Sequence, residues 1–123
     1  MGTIADRVFD DGLNTLDTEV DKLVICSQEP TTFTEANVTY VLASKASPTV
    51  SAPADRTGGG REVTISAITD GTVSATGTGT HVALLDTANS RLLLTVALSA
   101  SQAVTSGNTF GLTALKVGIP DPA

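Results

Sequence analysis

The spacing of hydrophobic positions changes near residue 21. Before it, Ile4, Val8, Phe9, Leu13, Leu16 and Val20 fall on one face of a helical wheel, with Asp6, Asp10, Asp11, Asp17 and Glu19 mostly on the other. That 3.6-residue period predicts an amphipathic helix over roughly residues 3–18. Thr3 is placed to cap it, with Asp6 three residues on as the reciprocal partner. Gly12 weakens the helix by about 1 kcal/mol relative to alanine.

Beyond residue 21 the pattern is that of strands. Residues 22–27 form a short apolar run, and a turn follows around Pro30, which pushes Glu29 away from helical angles. Thr34, Glu35 and Ala36 can open a short helical turn, although the stretch to Leu42 fits extended chain about as well. Residues 44–61, with two prolines and the run Gly58-Gly59-Gly60, read as a long loop. A long loop in a compact domain is a candidate contact arm.

From Arg61 on, Val63, Ile65 and Ala67 alternate with Glu62, Thr64 and Ser66, as in a half-buried strand. Asp70-Gly71 is a hairpin-turn signal, and Gly77 and Gly79 mark a bend or bulge before residues 81–85. Two apolar runs, 81–85 and 92–98, read as strands buried on both faces at the centres of sheets. Turns at 86–90 and 106–108 and strands at 109–113 and 115–119 complete a β-meander over residues 62–119. Short strands at this spacing predict a mainly β chain: an antiparallel, jelly-roll-like β-sandwich with an N-terminal amphipathic helix, in one domain over residues 1–123.

Composition narrows what such a domain can do. There is no Trp, one Tyr (Tyr40) and three Phe (Phe9, Phe33, Phe110), so the core is aliphatic. Only 16% of residues are charged, and Thr, Ser and Gly fill many polar positions. Such a surface costs little to desolvate against a partner, which predicts oligomeric or lattice contacts. The net charge of −6, with basic residues scattered singly, argues against nucleic acid, whose binding needs clustered Lys and Arg. No apolar run approaches the ~18 residues of a membrane span and no secretory leader is legible, so a soluble protein made in a cytoplasm is expected.

Chemistry is sought in the few residues able to carry it. His81 is the only histidine, which leaves neither a histidine pair for a metal nor a relay partner; on a strand, residues 81 and 86 face opposite sides, so Asp86 does not reach it locally. Cys26 is alone in an apolar run and reads as a buried, inert thiol. Asp70 and Asp86 suit turns, where Asp bonds local backbone. Asp17 and Asp21 lie on the helix's solvated face or just past its end. The glycines at 58–60 feed a strand instead of the helix a phosphate loop needs, and read as flexible linker. No catalytic residue, metal ligand or cofactor is expected. The residues expected to make contacts are Ile4 and Val8 on the helix, and Pro48, Pro53, Arg56 and Arg61 in or bounding the 44–61 loop.

Residues 73–86 (VSATGTGTHVALLD) and 98–110 (LSASQAVTSGNTF), within a Thr/Ser/Gly-rich, Cys-poor β-domain that starts with an amphipathic helix, resemble small structural proteins of tailed-bacteriophage particles. The resemblance implies a virion protein assembled in the host cytoplasm. Its partners would be other capsid or tail proteins and copies of itself, with no nucleic acid and no membrane. Capsid decoration is the leading role and a tail, fibre or connector role the next. A carbohydrate- or protein-binding β-domain is the reading from a different class. The scarcity of aromatics counts against sugar, whose rings commonly stack on them.

Overall fold

The computed structural model describes residues 5–119. The fold class is as expected: mainly β, with an N-terminal helix and antiparallel strands in two sheets. The chain divides into two compact units, one from Val20–Pro48 with Ile68–Leu112, the other from residues 5–19, Thr49–Ala67 and 113–119.

The larger unit holds a six-stranded sheet. Its strands are β1 (Lys22–Cys26), β2 (Val41–Ala46), β5 (Ile68–Val73), β6 (Gly77–Asp86), β7 (Arg91–Val104) and β8 (Thr109–Leu112), in the spatial order β7-β6-β1-β2-β5-β8. Within it, β6-β1-β2-β5 is the Greek-key order, the last strand lying beside the first. The physical origin is a long two-stranded ribbon folded across itself. One arm runs β5 into β6 and the other runs β7 into β8, and the arms pair with each other at both ends. The β1–β2 hairpin fills the gap between the ribbon's two halves. Only residues 74–76 link β5 to β6, yet three strand spacings separate those strands in the order. Flat, that gap is ~14 Å, the full stretch of the link, so the sheet must roll. The crease is held by Ser74 and Ala75 N–H bonds to the Leu42 carbonyl (2.8 and 3.1 Å).

Branched aliphatic residues fill this unit because two interior strands bury both faces. Leu23, Val24, Ile25 and Cys26 in β1, and Val82, Ala83, Leu84 and Leu85 in β6, are all buried. On one face Val24, Cys26, Ala83 and Leu85 cluster with Ala36, and Phe33, Tyr40, Val41 and Leu92 pack around them. Ala36 comes from a short helical segment wound as a π-helix over Glu35–Thr39. Two bonds brace the chain that leads into it: Glu35 N–H donates to Thr32 Oγ1 (3.1 Å), and Thr31 N–H donates to Glu35 Oε1 (2.8 Å). These bonds, the Thr31 backbone bond foremost, lower the Glu35 pKa.

The smaller unit carries α1 (Asp6–Glu19) and a three-stranded sheet of β3 (Ala54–Asp55), β4 (Arg61–Ile65) and β9 (Leu115–Ile119), in the order β3-β4-β9. Phe9, Leu13 and Leu16, at i, i+4 and i+7, are the buried stripe of the helix. Val63 and Ile65 are the buried positions of β4.

Several expectations are corrected. Asp70-Gly71 is no turn: it lies inside β5, and a Cβ on Gly71 would overlap the Phe110 ring, so this glycine makes room for an aromatic on β8. Residues 62–119 do not form a meander, because β4 pairs with β9 and β5 with β2 and β8. The 92–98 run is not at a sheet centre but on the edge strand β7, half-buried. The 44–61 stretch is not one irregular loop. Residues 44–46 continue β2, residues 54–55 form β3, and Ser51 is bonded to Thr64 through both its backbone and its hydroxyl. Gly58, Gly59 and Gly60 have φ of 92°, 105° and 90°. That left-handed run closes the β3–β4 hairpin and is why glycine occupies all three positions, a structural role in place of the expected linker. The bulge expected at Gly77 and Gly79 is present, between Gly79 and His81.

Candidate interaction surface

The residues expected to make contacts divide into exposed and internally committed groups. Ile4, like the Thr3 cap, lies outside the described residues. Val8 projects from α1 with 62% of its surface exposed. Pro48 is buried and Pro53 half-buried. The Arg61 guanidinium is spoken for within its own unit. Nε and Nη2 donate to the two Asp10 carboxylate oxygens (2.9 and 3.3 Å), Nη1 donates to Asp55 (2.6 Å), and Nη2 also reaches the Pro53 carbonyl (3.3 Å). The planar fork suits such bidentate pairing. It ties the helix to the β3–β4 hairpin, with its side chain only 17% exposed.

Arg56 crosses Gly118 on β9, where a Cβ would come 2.9 Å from its Cδ, and Nη1 donates to the Gly59 carbonyl (3.1 Å). Arg56, Thr57, Glu62, Lys116 and Gly118 line an open groove of about 360 Å³. Glu62 lies 3.7 Å from the Lys116 ammonium, so the groove carries both signs of charge.

His81 sits at the β6 bulge. Nδ1 is 2.9 Å from Thr80 Oγ1, and Nε2 is 3.6 Å from the Glu29 carboxylate. Thr80 Oγ1 donates in turn to the Ser27 carbonyl (2.9 Å), fixing the bulge to the end of β1. The partner is Glu29, because β1 runs beside β6 and the chain leaving β1 passes the ring. Asp70 accepts a bond from Lys45 Nζ (3.1 Å). Cys26 is fully buried, and desolvation pushes its thiol up to about 11. Asp21 caps the β6–β7 turn by accepting the Thr87 and Ala88 amides and the Thr87 hydroxyl. Those bonds, the Thr87 backbone bond first, lower its pKa. Asp86 accepts the Asn89 backbone N–H (3.4 Å), the local use expected of it, and also the Asn89 side-chain amide (2.8 Å). Among the described residues no three His, Cys, Asp or Glu side chains are grouped to hold a metal, and no helix is long and apolar enough to cross a membrane.

One unpaired strand edge among the described residues was missed by sequence reasoning. β7 is 14 residues long and pairs on one side only, with β6. From residue 92 to 104 it carries no charge and no proline. Leu92, Leu93, Leu94, Val96 and Leu98 are half-buried, and Ala97, Ala100 and Ala103 are exposed. Edge strands are ordinarily blunted by Lys, Pro or bulges, and here only bulges are used. One places the extra residue Leu93 between the Leu84–Leu94 and Leu85–Leu92 pairs; the other sets residues 98–101 against Thr80 alone. The signal available beforehand was length: the uncharged run outlasts any strand a sheet centre would require.

Comparison with protein-family models, with curated proteins and with solved structures finds no match.

Proposed function

We propose that this chain is a non-enzymatic structural protein of a tailed-phage particle, with capsid decoration the leading role and a tail, fibre or connector position the alternative. The observation that supports it is the uncharged, half-exposed edge of β7, a surface suited to protein contact and costly to leave in water. The aromatic residues bear on the competing reading. Phe9 and Phe110 are buried, and Phe33 and Tyr40 pack on the core cluster, so none of the four stands free as a sugar-stacking platform. Protein partners held by area fit this surface better than a carbohydrate.

Quantitative mass spectrometry of purified particles from the source tests the proposal. Hundreds of copies per particle correspond to decoration of a capsid lattice, and about a dozen or fewer to the tail or connector, as ring symmetry would set them. Absence from the particles would refute the virion reading and return the ligand-binding β-domain to first place.

A further inference from the structure

We infer that His81 is a proton-operated latch: its charged ring holds the β6 bulge to the end of β1 through Thr80, and its neutral ring releases that tie. The latch operates whatever assembly the chain serves.

One proton has two claimants. Thr80 Oγ1 lies 2.9 Å from the Ser27 carbonyl oxygen and 2.9 Å from His81 Nδ1. A hydroxyl has a single proton to give, and a carbonyl oxygen can only accept. When Nδ1 carries a hydrogen it donates to Oγ1, and the Thr80 proton is free for Ser27. A bare Nδ1 takes that proton instead, and the Ser27 carbonyl loses its donor.

Glu29 decides which state of the ring does which. Its Oε2 lies 3.6 Å from His81 Nε2. In the charged ring both nitrogens carry hydrogens. Nε2–H then faces the carboxylate, Nδ1–H faces Thr80, and Thr80 donates to Ser27, so every contact is matched. The neutral ring keeps one hydrogen. Placed on Nδ1, it would leave the Nε2 lone pair against a carboxylate oxygen. Placed on Nε2, it keeps the Glu29 contact and leaves Nδ1 bare. Loss of the charge therefore swings the Thr80 hydroxyl from Ser27 to the ring. Histidine is the side chain that ordinarily changes charge between pH 5 and 8. The tie is accordingly complete at the acid end of that window and lost as the pH rises through it.

The surroundings leave this titration to His81 and Glu29. Across the ladder, His81 faces Cys26 of β1 and Ala97 of β7. The Cys26 thiol, raised to about 11, keeps its proton throughout the window. Tyr40 packs on the same cluster as Cys26, and phenols ionise only near ~10. Glu35, the next carboxylate along the chain, is held by the Thr31 amide and hydroxyl. Among the described residues, Glu29 is the carboxylate paired with the ring. Ser27 is a sensitive place for such a tie. Its N–H donates to the Tyr40 carbonyl (3.0 Å) just before β2, and its C=O accepts from Thr80 at the β6 bulge. With His81 neutral, the first of these anchors remains and the second is gone.

Nuclear magnetic resonance of the whole isotope-labelled chain between pH 5 and 8 tests the latch. The ring nitrogens should report two hydrogens at the acid end and the Nε2–H tautomer at the other. The Ser27 carbonyl shift should move with the same midpoint as the ring. Thr80→Val, which removes the hydroxyl and keeps the shape, should abolish the Ser27 response while His81 still titrates. Thr80→Ser should restore it. Glu29→Gln should shrink it, because an amide can donate to a bare Nε2 and so permits the Nδ1–H form. Overturning results are a Ser27 carbonyl shift that stays flat through the His81 titration, a neutral Nδ1–H tautomer in the parent chain, or a Ser27 response that persists in Thr80→Val.

Discussion

β6 and β7 are adjacent, antiparallel and similarly apolar over 81–85 and 92–98, yet they have opposite fates. Leu84 and Leu94 face each other across the ladder on the same side of the sheet; Leu84 is 1% exposed, whereas Leu94 is only half-buried. Nothing in the two side chains differs. β6 lies between β7 and β1, whereas β7 has a neighbour on one side. Burial of a strand residue thus depends on how many strands flank it, and an apolar run on an edge strand remains as surface available for contact.

The comparison is broken most severely at its buried member. Leu84→Ala should cost about 2–5 kcal/mol, a large part of a typical domain's stability, as read by urea denaturation. The opposite edge of the sheet gives the next effect. On β8, Phe110 lies over Gly71, so Gly71→Ala should cost about 1–3 kcal/mol through overpacking, and pairing it with Phe110→Leu should recover part of the loss. Leu94→Ala should cost less than Leu84→Ala, about 1–2 kcal/mol in the monomer, because part of its surface is already in water. A Leu94 loss matching that of Leu84 would show that β7 is covered in solution.

Two titrations sharpen the contrast. Cys26 lies in β1, flanked by β6 and β2, and its thiol is raised to about 11 from an ordinary value of 9.0. The unfolded chain therefore loses this proton first, so stability from the group is intact below pH 9 and is lost as pH rises toward 11. At pH 8 a thiol reagent should label Cys26 only through opening of the fold, and label Leu94→Cys at the edge far faster. The smallest effect concerns the turn that joins the two strands. Asp21 has a lowered pKa, so its contribution is intact above the ordinary carboxylate value of 3.8 and fades as the pH falls through and below it. Asp21→Asn should flatten that acid limb, and amide exchange at Thr87 and Ala88 should quicken.

Much of the fold was legible where the responsible interactions are local. The helix appears as Asp6–Glu19 because Phe9, Leu13 and Leu16 recur at its period. The turn at 87–90 and the bulge after Gly79 formed where turn residues and glycines stood. Asp70-Gly71 misled because a glycine beside an Asp reads alike whether it supplies a turn or a space; only Phe110, distant in sequence, distinguishes the two. The same holds for the contact surface. Arg61 looked available as a charged residue beside a glycine run, but Asp10, far along the chain, holds it.

What the sequence determined alone is the kind of element at most positions: a helix first, strands thereafter, an aliphatic core, a solitary thiol, and a surface poor in charge. These depend on side-chain period and composition, which act over a few residues. Tertiary structure alone decided the strand neighbours. It folded the β5–β6 and β7–β8 ribbon around the β1–β2 hairpin, split the 62–119 strands between two sheets, and put β6 inside and β7 on the edge. Backbone hydrogen bonding carries no residue code, so any strand can pair with any other. The choice is made by the burial and connectivity of the whole chain.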